Sequence, residues 1–597
     1  MMEIHYSVGS QPHKSLPIVL VVLGDFSGSN NKFSSTIKSG LIKVNQANVN
    51  EVIKKLSPIL QLDLDWIFDD GISDKIPLSI SFSAFTNFEP KYLLNSFTPL
   101  KNKLLLREKL IEAITNRISI NHPSIENAHF DNKVISEILQ AFTVKTRIYN
   151  AGTKLSLPVE NMPLTTWLTD TLQQIDRLIS RQLNVLLHHQ QFIDLEGSWR
   201  GLNHLLSAIG KNKNCIIKLL NVRKEDFLND VKNAKTIHDS KVFSYLNSPQ
   251  RLDDDMEPVS TIIGDFEFSH CDKDVKLLSK IAQFSSLICC PFISSASASI
   301  FGVNNFNELN HMLDLNRIFS VPDYNSYKTV TAQESSRFIS LLLPQVQSRA
   351  RYSNTATNDN SFLYQEVTSE NAHAFNEFVL PRPLMNSAYV MAAVICNSFI
   401  LTSSPHLIQG LENGGKSTHL NTATGQLENG DLNSNSIASL TINDRRENEF
   451  SKLGFISLAS VNYENKGVFL SSKTIYQPEQ LDDWELNNDL SIISTLSFIL
   501  LSSRLAQHMK VISYQMLQEK IDFITIEKNL NNWLVKYTSI NQAQSENSSE
   551  YFLLQFGQVK IKQSPELDYK CQLEFTFKPW LLNSELSKPA ILVIDLL

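Results

Sequence analysis

At 597 residues the chain is too long for one hydrophobic core, and three or four units of about 150 residues are expected. Hydrophobic residues make up 42% and charged residues 19%, ample material for several cores under a surface poorer in charge than most. The net charge of −7 excludes a general nucleic-acid binder, which would carry a basic patch or a high pI.

The cysteines Cys215, Cys271, Cys289, Cys290, Cys396 and Cys571 form no C-x-x-C pair, and no histidine cluster joins them at zinc spacing. Reduced, mostly buried thiols of a cytoplasmic protein are the expectation. The opening string MMEIHYSVGSQPHK lacks the charged-then-apolar pattern of a signal peptide. The apolar run Leu16 to Leu23 is far short of the ~20 residues that a membrane helix needs, so no membrane span is expected.

Residues 2 to 8 alternate, with Ile4, Tyr6 and Val8 on one face. They read as a short strand at the free end of the chain, placed to pair with something distant. Pro17 to Gly28 is a continuous apolar run ending in Gly-Asp-Phe, which predicts a fully buried strand. Asp25 just after it suits a turn cap better than a catalytic carboxylate. Thr261 to Phe268 repeats the Gly-Asp-Phe ending around Asp265. Pro77 to Phe82 alternates as a half-buried strand, and a helix follows with Leu100, Leu104, Leu105 and Leu110 around Arg107. Residues 151–164, with Gly152, Pro158 and Pro163, read as a linker after a first unit over 1–150.

From Leu168 the apolar positions Leu172, Ile175, Ile179, Leu183 and Leu186 approach a heptad. That pattern fits a partner-helix seam or one amphipathic helix packed on its own domain. Val185 to Leu206 predicts one continuous helix, because Phe192, Leu195, Trp199, Leu202 and Leu206 line a single stripe. Glu196 and Arg200 stand at i and i+4, a pair worth about 0.2–0.5 kcal/mol on an exposed surface.

Cys215–Val222, Ile262–Phe268 and Cys289–Ile293 alternate with helical segments, the order of parallel strands joined by crossover helices. Residues 352–361 and 403–440 are rich in Asn, Ser, Thr and Gly and read as loops within a core spanning 165–550. Leu496 to Met509 is helical. Arg504 and His508 lie one turn apart there, which reads as helix-surface or interface polarity. A β region is expected over 551–597. Leu567, Tyr569, Cys571, Leu573, Phe575 and Phe577 alternate, and a bulge is expected before them near Gly557. The apolar run Ile591 to Leu597 is a further strand, an aggregation hazard unless another strand covers it.

Gly410, Gly415, Lys416 and Ser417 satisfy G-x-x-x-x-G-K-[ST], the spacing of a phosphate-cradling loop. Nucleotide binding would need a strand before it and a helix after it, yet the following residues lack an apolar period. No nucleophile triad, paired carboxylates or metal cluster stands out, so an enzyme is not the expectation and no cofactor is implied.

Taken together, several strings resemble one family. Leu187-His188-His189, Leu195-Glu196, Ser198 to Leu202, IIGDFEFSH, Thr441 to Glu449 and Ser503 to Lys510 are similar to the large subunit of the type VI secretion contractile sheath (TssC/VipB). LPIVLVVLGDFSG, PLSISF, Asn87 to Pro90 and LLLREKL resemble its small subunit (TssB/VipA), over roughly residues 2 to 115. The chain thus looks like both subunits joined, small then large.

The resemblance implies a mixed α/β, multi-domain sheath fold and a cytoplasmic helical homopolymer around a tube of Hcp rings. Contacts with baseplate proteins, and contraction without bond chemistry, follow from it. It marks Asp25, Glu196, Trp199, Arg200, Asp265, Arg504 and His508 as structural motif residues. In the family the two subunits are usually separate chains. An AAA+ unfoldase grips the large subunit's N-terminal segment, which is internal here. The strand-like ends add a physical expectation: Ile4–Val8, Leu567–Phe577 and Ile591–Leu597 complete sheets in neighbouring subunits. A phage-like tail sheath and a P-loop nucleotide binder are the alternative readings.

Overall fold

The computed structural model describes residues 5–6, 14–28, 40–65, 75–118, 164–247, 257–312, 314–352, 355–356, 362–364, 366, 383–412, 414–417, 420–421, 437–461, 466–538, 553–563, 571–581 and 584–595. The proposed linker before Leu164, and Ile4, Val8, Leu567 and Tyr569, lie outside the described residues. The first strands are β1 (His5–Tyr6), β2 (Lys14–Ser15), β3 (Ile18–Gly24), β4 (Ile42–Val44), β5 (Ile59–Asp65) and β6 (Lys75–Ser81). Next come β7 (Cys215–Asn221), β8 (Thr261–Phe268), β9 (Phe292–Ala296) and β10 (Ile339–Leu343). Short strands follow as β11 (Val346–Gln347), β12 (Thr355–Ala356), β13 (Leu363–Tyr364), β14 (Leu384–Met385) and β15 (Lys416–Ser417). The last are β16 (Phe455–Ser460), β17 (Gly467–Phe469), β18 (Leu554–Gln563), β19 (Cys571–Pro579) and β20 (Ala590–Asp595).

Nine of these strands form one sheet in the order β15-β17-β16-β10-β9-β8-β3-β7-β4. All seven residues of β3 are buried, as a strand covered on both faces requires. Ile18, Leu20 and Val22 enter one core, and Val21 and Leu23 the other, by the two-residue alternation of a strand. The helices Gln190–Ile209 and Ser387–Thr402 cover the first face, and Asp272–Ile288 the second.

β3 runs parallel between β7 and β8, with Leu23 opposite Leu220 on one side and Gly264 on the other. The first unit expected over 1–150 is therefore not separate: β3 and β4 are strands of the large region's own sheet. A run so uniformly apolar has no stable place at a solvent edge, and the larger sheet supplies two neighbours for it.

The helix expected over Val185–Leu206 is two helices. Leu164–Leu187 ends, His189 is extended, and Gln190–Ile209 begins. Ile175, Ile179, Leu183 and Leu186 of the first helix are buried in the chain's own core. Arg107 on the Thr98–Ile118 helix pairs with Asp176 at 2.6 Å, so the heptad-like face packs in cis.

A third core joins the helices Leu496–Gln518 and Phe523–Val535 to the antiparallel sheet β18-β19-β20. The C-terminal unit therefore begins well before residue 551. The register shift between Leu554 and Phe556 is the expected bulge, placed slightly earlier than Gly557. Among the described residues no helix is long and apolar enough to cross a membrane.

Candidate functional site

The helix Gln190–Ile209 carries Glu196 inward, fully buried. Its Oε1 accepts from Arg200 Nε at 2.7 Å and from Arg349 Nε at 3.0 Å. Arg349 turns its other nitrogens to Glu366, with Nη1 to Oε2 at 2.8 Å. Glu366 Oε1 meets His188 Nε2 at 3.0 Å, and Tyr352 N donates to Oε2 at 2.9 Å. Burial raises the Glu366 carboxyl, but the Arg349 charge and the hydrogen bonds from His188 and Arg349 outweigh it and bring it to about 2. Both carboxylates share the Arg349 guanidinium, so the network ties Arg349, Tyr352 and Glu366 to Glu196 and His188, although Glu196 Oε2 keeps no hydrogen-bond partner among the described residues. The i,i+4 pair is thus a buried junction rather than a surface pair.

The two Gly-Asp-Phe strings sit side by side. Asp25 Oδ1 accepts from Ser27 N at 3.1 Å and Gly28 N at 3.0 Å, the turn cap expected from sequence. A Cβ on Gly24 would lie 2.9 Å from that of Asp265, so only glycine fits beside β8. Burial pushes the Asp265 carboxyl up to about 6, although it accepts from Tyr389 Oη at 3.0 Å. Trp199 Nε1 donates to Phe26 O at 3.2 Å, and its ring meets Phe26 edge-on at 5.1 Å. Trp199 thereby fixes the corner where the first region enters the sheet.

Arg504 and His508, read as helix-surface or interface polarity, are both buried. Arg504 bonds the carbonyls of Leu16 and Pro17, the latter at 3.0 Å, and its guanidinium covers the Phe399 ring. His508 Nδ1 contacts Arg504 O at 2.8 Å, and its ring stacks on Trp533. These side chains join the β3 entry to the C-terminal unit.

The phosphate-loop spacing does not fold as a phosphate loop. A helix, Ser387–Thr402, precedes it rather than a strand. Lys416 and Ser417 are strand β15, paired antiparallel with β17. The amides of Gly410 and Gly415 donate to Phe469 O and Gly410 O, at 2.8 and 3.1 Å. Those two amides are therefore already paired and do not face a phosphate.

The strand candidates are sorted by sheet position. β1 pairs β2 antiparallel in a two-stranded ribbon, with Tyr6 opposite Lys14. Leu573, Phe575 and Phe577 bury one face of β19 as expected, but β19 is the middle strand, with both hydrogen-bonding edges taken. It is therefore not an exchanged strand within this fold. β20 is an edge strand with Leu592 and Ile594 buried and Ile591 and Val593 exposed by 56% and 53%.

Arg349, Glu366, Tyr389, Glu527 and Asn531 were not singled out from sequence. Each is an ordinary polar residue without a local period, and only long-range packing gives it a partner. The one available signal was the buried stripe of Glu196, which requires a charge partner.

Three family descriptions cover the chain. "EvpB/VC_A0108, tail sheath N-terminal domain" (VipB) matches residues 169–476, more than half of it. "Type VI secretion system, VipA, VC_A0107 or Hcp2" matches residues 2–155. "EvpB/VC_A0108, tail sheath gpW/gp25-like domain" matches residues 485–596, the third core. Type VI secretion system sheath protein TssC1 of Pseudomonas aeruginosa PAO1 is 27% identical over 378 residues, covering 63% of this chain and 75% of that protein. A cryo-EM structure of the anti-feeding prophage (AFP) baseplate aligns with TM-score 0.30 and 10% identity, over 67% of this chain and 76% of that one, a likeness too low to carry an argument. The three family descriptions and the TssC1 relative lead to one conclusion: the chain belongs to the VipB tail-sheath family of type VI secretion, as a contractile-sheath structural subunit in which a VipA region and a VipB region are fused.

Proposed function

We propose that this subunit polymerises in the cytoplasm around an Hcp-like tube by exchanging terminal strands, and that contraction re-docks rigid bodies while those strands keep them tethered. The open edge of β20 carries this reading. Its Ile591 and Val593 side chains are exposed, and an apolar edge strand of this kind is a template for pairing with another strand. Strand addition supplies backbone hydrogen bonds as affinity and alternate side chains as register. The β1–β2 ribbon supports the same reading, because an isolated two-stranded ribbon, here two paired residues per strand among the described residues, is marginally stable alone. Baseplate contacts at the end of the polymer and recycling by an AAA+ unfoldase belong to this reading. In a fused chain the unfoldase must grip an internal segment.

Deletion of residues 1–10, and separately Val593→Pro, tests it by electron microscopy. The expected result is a folded protein by circular dichroism that forms no tubes. Intact tubular polymers from both variants would overturn the strand assignment.

A further inference from the structure

A cleft of about 390 Å³ lies between the end of the nine-stranded sheet and the C-terminal unit, within the range of about 300–1,000 Å³ that small-molecule sites occupy. One wall carries Gln409, Ser471 and Lys473. The other carries Asn488 and Ser491 of the helix Trp484–Ile493, and Leu581 beyond β19. Asn488 and Ser491 stand three apart and so share one face of that helix. Backbone bonds hold the walls together: Leu496 N donates to the Ser472 carbonyl, and Thr474 N to the Ser494 carbonyl at 3.0 Å.

The lining is rich in donors and poor in negative charge. Among the described residues no Asp, Glu or Arg lines it. Lys473 Nζ donates to Ser491 O at 2.8 Å and to Ser491 Oγ at 2.6 Å, so two of its three protons meet neutral oxygens. Burial pushes its ammonium down, and no carboxylate holds it up. Asp489, the acid nearest in sequence on the facing helix, accepts instead from Ser587 N at 2.7 Å and Lys588 N at 3.1 Å. His406 also lines the cleft, but burial brings its imidazole down to about 4, so it adds no cation at neutral pH. Ser471 Oγ is buried with no hydrogen-bond partner among the described residues. A part-buried ammonium that meets only neutral oxygens, beside an unpaired hydroxyl, is complementary to an oxyanion, which accepts from both.

We propose that this cleft binds a small anion through a phosphate or carboxylate group that accepts from Lys473 Nζ and Ser471 Oγ. The bound group joins the two walls, because Lys473 is itself held by Ser491 across the cleft. Binding therefore fastens the C-terminal unit to the sheet that carries β17, and it is independent of strand exchange at β20.

The test titrates the full-length chain with inorganic phosphate and, separately, with citrate at millimolar concentration, and reads the acetylation of each lysine by mass spectrometry. Either anion is expected to slow acetylation of Lys473 and leave the exposed Lys520 unchanged, and the more effective of the two identifies the head group. Calorimetric titration is expected to show about a 10-fold or greater loss of affinity in Lys473→Met and retention in Lys473→Arg. Lys473 labelling that neither anion changes overturns the proposal. Equal protection of Lys473 and Lys520 marks an adventitious ion only and overturns it too, as does unchanged affinity in a folded Lys473→Met. Should that variant not fold, Ser471→Ala serves in its place: about a 3-fold or greater loss is expected, and wild-type affinity overturns the site.

Discussion

Arg504 Nη1 donates to the carbonyl oxygen of Pro17 across 487 positions of sequence, at 3.0 Å. The residue that precedes the buried strand β3 is thus held by the helix that begins the C-terminal unit. Arg504→Met keeps the packing on Phe399 but removes the bonds to Leu16 and Pro17. Stability should fall by about 2–4 kcal/mol, because buried carbonyls lose a charged donor. A urea midpoint equal to that of the wild type would show that the strap is idle.

Arg349 neutralises two fully buried carboxylates, Glu196 and Glu366. Arg349→Met strands both, and a loss of about 3–5 kcal/mol is expected. The same clamp sets an acid limit. The Glu366 carboxyl sits at about 2 in the fold against an ordinary 4.5. Its stability contribution is present above pH 4.5 and is lost as pH falls toward 2, since the unfolded chain takes up the proton first. Urea titrations between pH 5 and pH 3 should show this slope in the wild type and a flatter one in Glu366→Gln.

His406 works in a higher window. Burial brings its imidazole down to about 4 from an ordinary 6.5, while Nδ1 contacts Ser404 Oγ at 2.7 Å. The unfolded chain protonates it near pH 6.5 and the folded chain does not, so its contribution to stability falls on acidification from 6.5 toward 4, while the raised Asp265 and Glu267 carboxyls contribute in the opposite sense. His406→Asn should remove that contribution and change the slope of stability against pH in this interval. An unchanged slope between pH 6.5 and 4.5 would refute the assignment.

Gly201 faces Tyr389 across the two helices on the first sheet face, and a Cβ there would overlap the ring. Gly201→Ala is expected to cost about 1–3 kcal/mol by overpacking. The double variant with Tyr389→Leu should recover part of that loss, a coupling that thermal melts of both variants measure.

Lys416 lies in a strand, so Lys416→Ala should leave both stability and nucleotide titrations unchanged. ATP binding that is abolished by this substitution would restore the phosphate-loop reading.

Period and composition are local properties, and what depends on them was legible. The buried strand at Ile18–Gly24, the Asx turn at Asp25, the inward face of the 190–209 helix and the alternation of β19 all follow from the residues themselves. The two-region order was also readable, because short strings such as Ser198 to Leu202 keep fixed offsets. Pairing is not local, and the tertiary structure alone decided it. It put β3 between β7 and β8, made β19 a middle strand and not an exchanged one, and buried Arg504. It also broke the helix at His188, whose ring is held by Glu366 from 178 positions away. A strand's own side chains say which face is apolar, but not which neighbour will take its backbone hydrogen bonds. That choice is made by the whole core, as Asn531 shows: its amide holds Val559 N and O, both at 2.9 Å, only once the Phe523–Val535 helix lies along the sheet.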